Sequence, residues 1–310
     1  MQFDKVIVTG GSGRLGRFIA DALKGRAQVT TLDIAGPKSN LPHITLNITD
    51  LEGLFKAFTG VDAVVHVGAL DGHVEAVPEE FMRVNALGTW NVLHAAFEAG
   101  VRKVVVASSN SATGLNSTNL HRPPLYLPID ETHPVWPTQA YGLSKLINEV
   151  AAESFGNRGA MKVACVRPTY IMFPELVPFL AKRLLDPDNP AHAKDTHPDP
   201  SVSAALQEPL GLLRCYVEPK DLARLFQLAL EHDGATYEFF YGSARDSCDP
   251  APTLSYVGRV YGRIPEVRKP QIYETNPHAS VIDCSRAREV LGWEPTSDWS
   301  KMSGMKRASR

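Results

Sequence analysis

The sequence predicts an α/β protein with a doubly wound parallel sheet and a smaller C-terminal part. Three observations support this prediction. Strand-like and helical patterns alternate through about residue 168, which favours a parallel sheet joined by crossover helices. The run 62–69 is continuously apolar, as expected of a parallel strand that is covered on both faces. A glycine-rich turn separates the first strand from the first helix.

This turn, 9–16, follows the apolar strand 5–8 and precedes an amphipathic helix. The spacing of Gly10, Gly13 and Gly16 is one residue longer at its first step than the commonest Rossmann fingerprint. Glycine lets the backbone turn tightly and approach a pyrophosphate, and the helix start offers unpaired N–H groups to the phosphates. The turn therefore predicts a dinucleotide site in a Rossmann sheet, although a glycine turn can also simply end a strand.

The second predicted strand, 28–34, contains an acidic residue about 20 positions beyond the turn. Asp33 can accept hydrogen bonds from the adenosine ribose hydroxyls and would repel a 2′-phosphate, so it favours NAD over NADP. Arg14 acts in the opposite direction, because its guanidinium could bind a 2′-phosphate or the pyrophosphate. We give Asp33 the greater weight and predict NAD as the cofactor.

Polar residues stand out in the elements that follow. The predicted strands are 44–47, 62–69, 103–109 and 162–167, and the predicted helices are 51–58, 79–98 and one that begins at about 139. We interpret His66, inside an apolar strand, as a core residue. Asn85 lies in mid-helix, where a short amide is a poor helix former. Ser108 and Ser109 end a strand at the edge where open α/β sheets bind ligands.

The regular pattern is interrupted by a proline-rich segment, 110–138, which predicts a long ordered loop. In the helix after it, Tyr141 and Lys145 are four residues apart and share a face. The predicted division of the chain has two parts: an NAD-binding domain, 1–168 with 212–242 returning to its sheet, and a substrate-binding subdomain, 169–211 and 243–310.

Composition excludes several classes of function. The net charge is −2 without a basic stripe, so neither nucleic acid nor an anionic membrane is an expected partner. No apolar run approaches the roughly 20 residues of a membrane span and no leader pattern is seen, so we expect a soluble, cytoplasmic protein. The four cysteines are widely spaced, as isolated thiols in a reducing compartment would be. No metal site is expected, because His192 and His197 lack ligand spacing.

Together these motifs resemble one known family. The glycine turn, Asp33, Asn85, Ser109 and the sequence Tyr-Gly-Leu-Ser-Lys at 141–145 resemble the extended short-chain dehydrogenase/reductases, also called the NAD-dependent epimerase/dehydratase family. A Tyr-x-x-x-Lys pair alone is weak evidence, whereas several matches in order are strong. The likeness covers nearly the whole chain and includes 85–93, 167–168, 214–223 and 283–295.

The resemblance implies an enzyme in which Tyr141 exchanges a proton with the substrate while hydride passes to or from nicotinamide. A tyrosine with a pKa of about 10 needs neighbouring positive charge to act as a base, which Lys145 and oxidised nicotinamide could supply. Ser109 would bind the same substrate oxygen, Lys145 would also hold the nicotinamide ribose, and Asn85 would help to keep a relay water in place. The family also implies a homodimer through the helices that hold Asn85 and Tyr141. The implied NAD contacts are Gly10, Gly13, Arg14, Leu15, Gly16, Asp33, Asn47, Ile48, Val67, Gly68, Ala69, Asn85, Ala107, Ser108, Tyr141, Lys145, Arg167 and Pro168.

The leading hypothesis is a dehydrogenase for a sugar or sugar acid. Residues 107–110 look like those of the uronate-dehydrogenase type, in which Arg214 could bind a carboxylate as a bidentate fork. Dehydration is disfavoured, because Ser109 is followed by Asn110 and Ser111 rather than by the acid and base carboxylates of the family's dehydratases. The predicted substrate contacts are Ser109, Asn110 and Arg214.

Two alternatives remain open. In a nucleotide-sugar epimerase with tightly bound NAD, Arg214 would contact the diphosphate, but the usual second arginine is missing unless Arg268 or Lys269 replaces it. The other alternative is a dinucleotide-sensing protein that has lost catalysis. Substrate choice depends on segments with little pattern, 111–137, 174–210 and 243–280.

Overall fold

A computed structural model describes residues 3–72, 74–115, 122–186, 213–305 and 307. In chain order the elements are β1 (Lys5–Thr9), α1 (Arg14–Leu23), β2 (Gln28–Asp33), β3 (His43–Thr45), α2 (Leu51–Ala57), β4 (Ala63–His66), α3 (Pro78–Phe81), a π-helical stretch (Met82–Leu87), α4 (Gly88–Glu98), β5 (Lys103–Ala107), a 3₁₀ turn (Asn110–Thr113), β6 (Tyr126–Leu127), α5 (Ala140–Gly156), β7 (Lys162–Pro168), β8 (Tyr170–Ile171), a second 3₁₀ turn (Pro174–Leu176), α6 (Val177–Leu185), β9 (Tyr216–Val217), α7 (Pro219–Glu231), β10 (Tyr237–Gly242), α8 (Thr253–Tyr261), β11 (Glu266–Val267), α9 (Pro270–Thr275), α10 (Ser285–Leu291) and α11 (Trp299–Ser303).

The main sheet has seven strands in the order β10-β7-β5-β4-β1-β2-β3, and every neighbouring pair is parallel. The predicted doubly wound parallel sheet is confirmed. The strand order reverses between β1 and β4, so the connections after these two strands diverge and leave a crevice at their carboxyl ends. Ligands of open α/β sheets bind at such a switch point.

Helices cover both faces of the sheet because successive strand residues point to opposite sides. In β1, Val6 and Val8 belong to a buried cluster with residues of α1, α7 and α10. Ile7, between them, belongs to a second cluster with residues of α2, α4 and α5. The continuous apolar strands are thus explained by burial on both faces.

The structure differs from the expectation at 212–217, predicted as a strand of the main sheet. Position 212 lies outside the described residues, and only Tyr216 and Val217 form a strand, which pairs with β8 in a separate two-stranded sheet. The run is interrupted because Arg214 has a φ of 52°, a left-handed conformation that does not continue an extended strand. After α7 the chain does return to the main sheet, as β10 beside β7. The predicted domain boundaries stay a prediction.

Among the described residues, no helix has the length and apolar character that a bilayer crossing requires. The same residues contain no group of three or more His, Cys, Asp or Glu side chains that could hold a metal ion. His192 and His197 lie outside the described part of the chain.

Candidate active site

The glycine turn lies at the switch point of the sheet. Gly10 has a φ of 70°, and a Cβ atom added there would lie 2.6 Å from the backbone nitrogen of Gly68, which follows β4. A Cβ on Gly16 would lie 2.1 Å from the carbonyl oxygen of Gly10. The two glycines therefore allow β1, β4 and α1 to approach more closely than any other residue would permit.

Helix α1 begins at this turn without a capping side chain on Gly13. Its first N–H groups are therefore available to a phosphate, and the positive end of the helix dipole favours an anion there. Asp33 ends β2 beside the turn, where one carboxylate oxygen accepts the N–H of Ser12 at 3.0 Å and the other that of Ala35 at 3.0 Å. Backbone donors for phosphates and a carboxylate for ribose hydroxyls fit a dinucleotide.

Arg14 is held in a contact with other residues. Its Nη2 lies 2.5 Å from Oε1 of Glu175, and its guanidinium lies 3.7 Å from the ring centroid of Phe173. Because its charge is paired with an acid from the C-terminal part, Arg14 is less available to an adenosine 2′-phosphate. This supports the predicted preference for NAD.

Asn85 is fully buried in the π-helical stretch between α3 and α4. Its Oδ1 accepts the N–H of Leu70 at 2.7 Å, and its Nδ2 donates to the carbonyl of Leu70 at 3.1 Å and to Oγ of Ser144 at 3.2 Å. The side chain thus fixes the loop after β4 against α5, and π-helical turns often occur at functional sites. The predicted relay water stays a prediction.

Three predicted catalytic residues meet at the start of α5. Ser109, which follows β5, lies near enough to the Tyr141 hydroxyl to lower its pKa. Lys145, one turn further along α5, donates from Nζ to the carbonyl of Ala107 at 3.2 Å, and its Nζ lies 5.8 Å from the Tyr141 ring centroid. The ring of Phe81 packs edge-on against Tyr141 with centroids 5.9 Å apart.

Neighbouring positive charge would be expected to lower the pKa of the catalytic tyrosine. In the structure the pKa of Tyr141 is shifted the other way. Burial raises the pKa of Tyr141 well above its ordinary value, and the negative charge of Asp71 raises it further, against the opposing effect of Ser109. Burial lowers the pKa of Lys145 to about 8, and Asp71 opposes that shift. Sequence reasoning missed Asp71, although its place just beyond β4, at the ligand-binding edge, could have singled it out.

Neighbouring residues at the ends of β5 and β7 have a structural role. Ser108 donates to Oε1 of Glu149, and Arg167 grips the same carboxylate with Nε at 2.9 Å and Nη2 at 2.6 Å. Nη1 of Arg167 donates to the hydroxyl of Tyr241 at 2.5 Å. Because these side chains are buried and already hydrogen-bonded, we expect any hydrogen bond from Ser108 or Arg167 to NAD to come from the backbone. Pro168, which ends β7, has no polar side chain and could hydrogen-bond NAD only through its carbonyl.

Other predicted cofactor residues line the same edge. Val67, Gly68 and Ala69 directly follow β4, and Leu15 lies in the first turn of α1. His66 lies in the core, with its ring nitrogens 2.6 Å from Oγ1 of Thr9 and 2.9 Å from Oγ1 of Thr89, as interpreted from the sequence.

The segment after β3 holds the last two predicted cofactor residues. Asn47 accepts the N–H of Thr49 on its own Oδ1 at 3.0 Å. Ile48 is buried, and its Cδ1 would lie 2.8 Å from a Cβ added to Gly88. The side chains of this segment therefore form its local turn and its contact with α4.

The predicted substrate-binding side chains differ in whether their polar atoms already have a partner. Oδ1 of Asn110 is buried beside Ser109 and has no hydrogen-bond partner in the described part of the chain. A buried acceptor of this kind is costly unless a ligand or water satisfies it. Arg214, in contrast, has its Nε 3.3 Å from a carboxylate oxygen of Asp249. The replacements considered for the missing arginine are also paired with acids: Arg268 with Glu266 at 3.4 Å and Lys269 with Asp283 at 2.5 Å.

Comparison with known proteins decides the family. Residues 6–240 match the model of the NAD dependent epimerase/dehydratase family. The chain belongs to this family. This family match confirms the predicted cofactor, NAD, and the predicted resemblance to extended short-chain dehydrogenase/reductases.

Relatives within the family have different activities. The chain is 31% identical over 170 residues to a uronate dehydrogenase of Pseudomonas putida, a match that covers 53% of this chain and 60% of that protein. It is 26% identical over 325 residues to a UDP-glucose 4-epimerase of Halalkalibacterium halodurans, covering 94% of this chain and 90% of that one. A crystal structure of a short-chain dehydrogenase/reductase superfamily protein from Agrobacterium tumefaciens with bound NAD superposes with a TM-score of 0.70 at 25% identity, covering 97% and 95% of the two chains.

Proposed function

We propose that the protein is an NAD-dependent dehydrogenase that oxidises a hydroxyl group of a sugar or sugar acid. The proximity of Ser109 to the Tyr141 hydroxyl, with Lys145 one helical turn away, carries this proposal. A proton acceptor and a hydroxyl donor that are neighbours could both contact one substrate oxygen. The likeness to uronate dehydrogenase over about half of the chain supports it.

Each side chain at the site has a separate role in the proposed reaction. Tyr141 takes the proton of the substrate hydroxyl, Ser109 donates a hydrogen bond to the same oxygen, and the carbon bearing it becomes a carbonyl. The glycine turn and Asp33 would hold NAD, which would supply a hydride acceptor for that carbon and a positive charge close to Tyr141. Lys145 adds a second positive charge, which favours the tyrosinate. The unpartnered Oδ1 of Asn110 is placed to accept a hydrogen bond from a neighbouring sugar hydroxyl.

A nucleotide-sugar epimerase is the second candidate, since the epimerase relative matches over nearly the whole chain. The same tyrosine chemistry would serve it, but Arg214, its predicted diphosphate contact, is paired with Asp249. An anion there would have to compete with a carboxylate that is already in place. We therefore rank the dehydrogenase first.

Incubation of the purified protein with NAD and three substrate groups tests the proposal. Free sugars, sugar acids and nucleotide sugars are supplied in turn, while NADH absorbance and product stereochemistry are followed together. A dehydrogenase accumulates NADH in solution, whereas an epimerase inverts a nucleotide sugar without releasing NADH. NAD binding without any turnover would instead favour a sensing protein.

We further propose a homodimer formed by the outer faces of α4 and α5. Large apolar side chains are exposed on α4, on α5 and at the end of the π-helical stretch before α4, and those on α5 are spaced i, i+4, i+7 on one face: Leu87 50%, Trp90 41%, Leu143 41%, Ile147 39% and Val150 60%. A contiguous exposed apolar surface commonly marks an interface. Light scattering at micromolar concentration should give a dimer for the native chain and a monomer for Ile147→Asp/Val150→Asp. Ile264→Asp, at an exposed apolar position elsewhere, is the control that should remain dimeric. A monomeric native chain would overturn this proposal.

We also place the enzyme in the cytoplasm, because all four cysteines are free and three of them are buried. Disulfides are rare in that reducing compartment. Fractionation of the cells that produce the full chain checks the assignment.

A further inference from the structure

A buried histidine lies in the long segment between β5 and α5, and both of its ring nitrogens have a partner. His133 is 3% exposed. Its Nε2 accepts the backbone N–H of Leu125 at 3.0 Å, and its Nδ1 lies 2.7 Å from the carbonyl oxygen of Pro134. Because a backbone N–H only donates and a carbonyl only accepts, the ring is the neutral tautomer with its proton on Nδ1. A second proton, on Nε2, would face the N–H of Leu125 and break that hydrogen bond.

The ring of His133 also contacts two aromatic side chains. It is tilted against the ring of Tyr126, in β6, with centroids 5.0 Å apart, and it packs edge-on against Trp136 with centroids 5.6 Å apart. Together with the two hydrogen bonds, these contacts join β6 to the residues shortly before α5. The conformation of the 125–136 segment therefore depends on His133.

The 125–136 segment is bonded to the 3₁₀ turn that follows the candidate catalytic serine. The side chain of Ser109 caps the start of this turn. At the other end of the turn, the carbonyl of Thr113 accepts the N–H of Trp136 at 2.9 Å. A Cβ added to the next residue, Gly114, would lie 2.0 Å from the carbonyl oxygen of Trp136. A shift of the 125–136 segment would therefore move the turn that Ser109 caps.

The same turn packs against the start of α5. A Cβ added to Gly142, which directly follows Tyr141, would lie 2.4 Å from the carbonyl oxygen of Ser111. The turn and the helix that place Ser109 and Tyr141 are thus in close backbone contact. A displacement of about 1 Å between reacting groups can cost about 10²-fold in rate, so the position of this turn matters to the proposed chemistry.

The groups around His133 keep its ring neutral at neutral pH. Burial lowers the pKa of His133 below its ordinary value of about 6.5. The bond from Nδ1 and the charge of Asp130 oppose this shift, whereas Arg167 of β7 and Arg268, which follows β11, add to it. Tyr126, a titratable side chain that also contacts the ring, donates its hydroxyl to Asp130 at 2.8 Å.

We propose that His133 is a positioning residue for the reaction: its neutral ring holds the 125–136 segment against the turn that Ser109 caps, and protonation of Nε2 loosens the segment and slows turnover. The inference rests on the proposed dehydrogenase function and adds a residue that acts through Ser109 without contacting the substrate.

The reduction direction tests this role separately from the titration of Tyr141, because reduction uses the protonated tyrosine. The carbonyl product is reduced with NADH between pH 7 and pH 5, while circular dichroism verifies that the chain stays folded. The kcat/KM of the native chain should fall by up to about tenfold per pH unit below the pKa of His133. His133→Gln keeps an acceptor for the Leu125 N–H but does not titrate, so its kcat/KM should stay level. His94→Gln, the same change at a half-buried position of α4, should show the native fall.

A second variant imitates the loss of the hydrogen bonds at neutral pH. His133→Phe keeps a ring beside Tyr126 and Trp136 but forms neither hydrogen bond, so kcat at pH 7 should fall by about tenfold or more. Calorimetric titration should give an unchanged affinity for NAD, because the glycine turn is not altered. Amide hydrogen exchange at Leu125 should be faster than in the native chain at the same pH, a readout that needs no substrate. If His133→Phe does not fold, the pH profiles of the native chain and His133→Gln decide the matter.

A native kcat/KM that stays level down to pH 5, or the same fall in the native chain and His133→Gln, would overturn the role of His133 while NADH formation upheld the dehydrogenase. No NADH from any sugar or sugar acid would overturn the proposed function, and this inference with it.

Discussion

The two ends of the candidate site are built in different ways. At the cofactor end the contacts involve the backbone: Gly10 lies against the backbone of Gly68, and the Asp33 carboxylate accepts the backbone N–H of Ser12. At the reaction end, side chains from separate segments meet, with Tyr141 from α5 near Ser109, which follows β5. Where two backbone segments approach closely, only glycine fits, so the sequence itself records the contact. The arrangement of a side-chain cluster is instead set by the assembled fold and by the charges around it.

The largest effect is expected where the reaction end loses its proton acceptor. Tyr141→Phe should lower turnover about 10²–10⁴-fold, the usual contribution of a general acid or base. Its affinity for NAD should remain, because the cofactor end is unchanged. Steady-state NADH formation and calorimetric titration with NAD measure the two quantities separately. Turnover equal to that of the native chain would remove Tyr141 from the chemistry.

The buried ion pair between Glu149 and Arg167, which supports the reaction end, should make a large contribution to the free energy of unfolding. Glu149→Ala leaves the guanidinium of Arg167 buried and uncompensated, which should lower the free energy of unfolding by about 3–5 kcal/mol. Glu294→Ala breaks an ion pair with Arg245 that is about half exposed, and should cost about 1 kcal/mol or less. Urea denaturation of both variants makes the comparison. Equal losses would show that Glu149 is not the buried support described here.

The cofactor end is tested by the close approach at its turn. Gly10→Ala places a Cβ against the backbone of Gly68 at a positive φ, and such strain costs about 1–3 kcal/mol. The affinity for NAD should fall because the turn can relax only by moving. Gly36→Ala is the matched control, since its added Cβ meets nothing within 4 Å. Unchanged NAD binding by Gly10→Ala would contradict the described turn geometry.

The most graded effect is that of pH. Burial raises the pKa of Tyr141, so the protonated form predominates at neutral pH and oxidation, which needs the tyrosinate, should speed up as pH rises. Below that pKa the oxidation rate should increase by up to about tenfold per pH unit, whereas reduction of the product, which uses protonated Tyr141, should not. Initial rates in both directions between pH 6 and 10 check this sign. An oxidation rate independent of pH would argue against a tyrosine base.

The cofactor end and the sheet could be predicted because both leave short-range signals. The apolar runs mark the strands, and the spacing from the turn to Asp33 marks the dinucleotide site. The break at Arg214 left no such signal, because a left-handed conformation at a residue other than glycine is imposed by its surroundings.

The reaction end was predictable only in part. Ser108 and Ser109 are neighbours in sequence, yet Ser108 donates to the buried Glu149 whereas Ser109 lies near the Tyr141 hydroxyl. Successive residues at a strand end point to opposite sides, and which side holds the site depends on the packing of α5. The effect of Asp71 on the pKa of Tyr141 depends on their proximity in the folded chain, which no spacing in the sequence indicates.

The most direct test of the central claim follows the hydride itself. A sugar that carries deuterium on the carbon to be oxidised is turned over with NAD, and mass spectrometry locates the label. A dehydrogenase built on Tyr141 and Ser109 releases the deuterium in free NADH. Deuterium retained on the same carbon of an inverted nucleotide sugar, with no labelled NADH in solution, would contradict the proposed function and establish an epimerase.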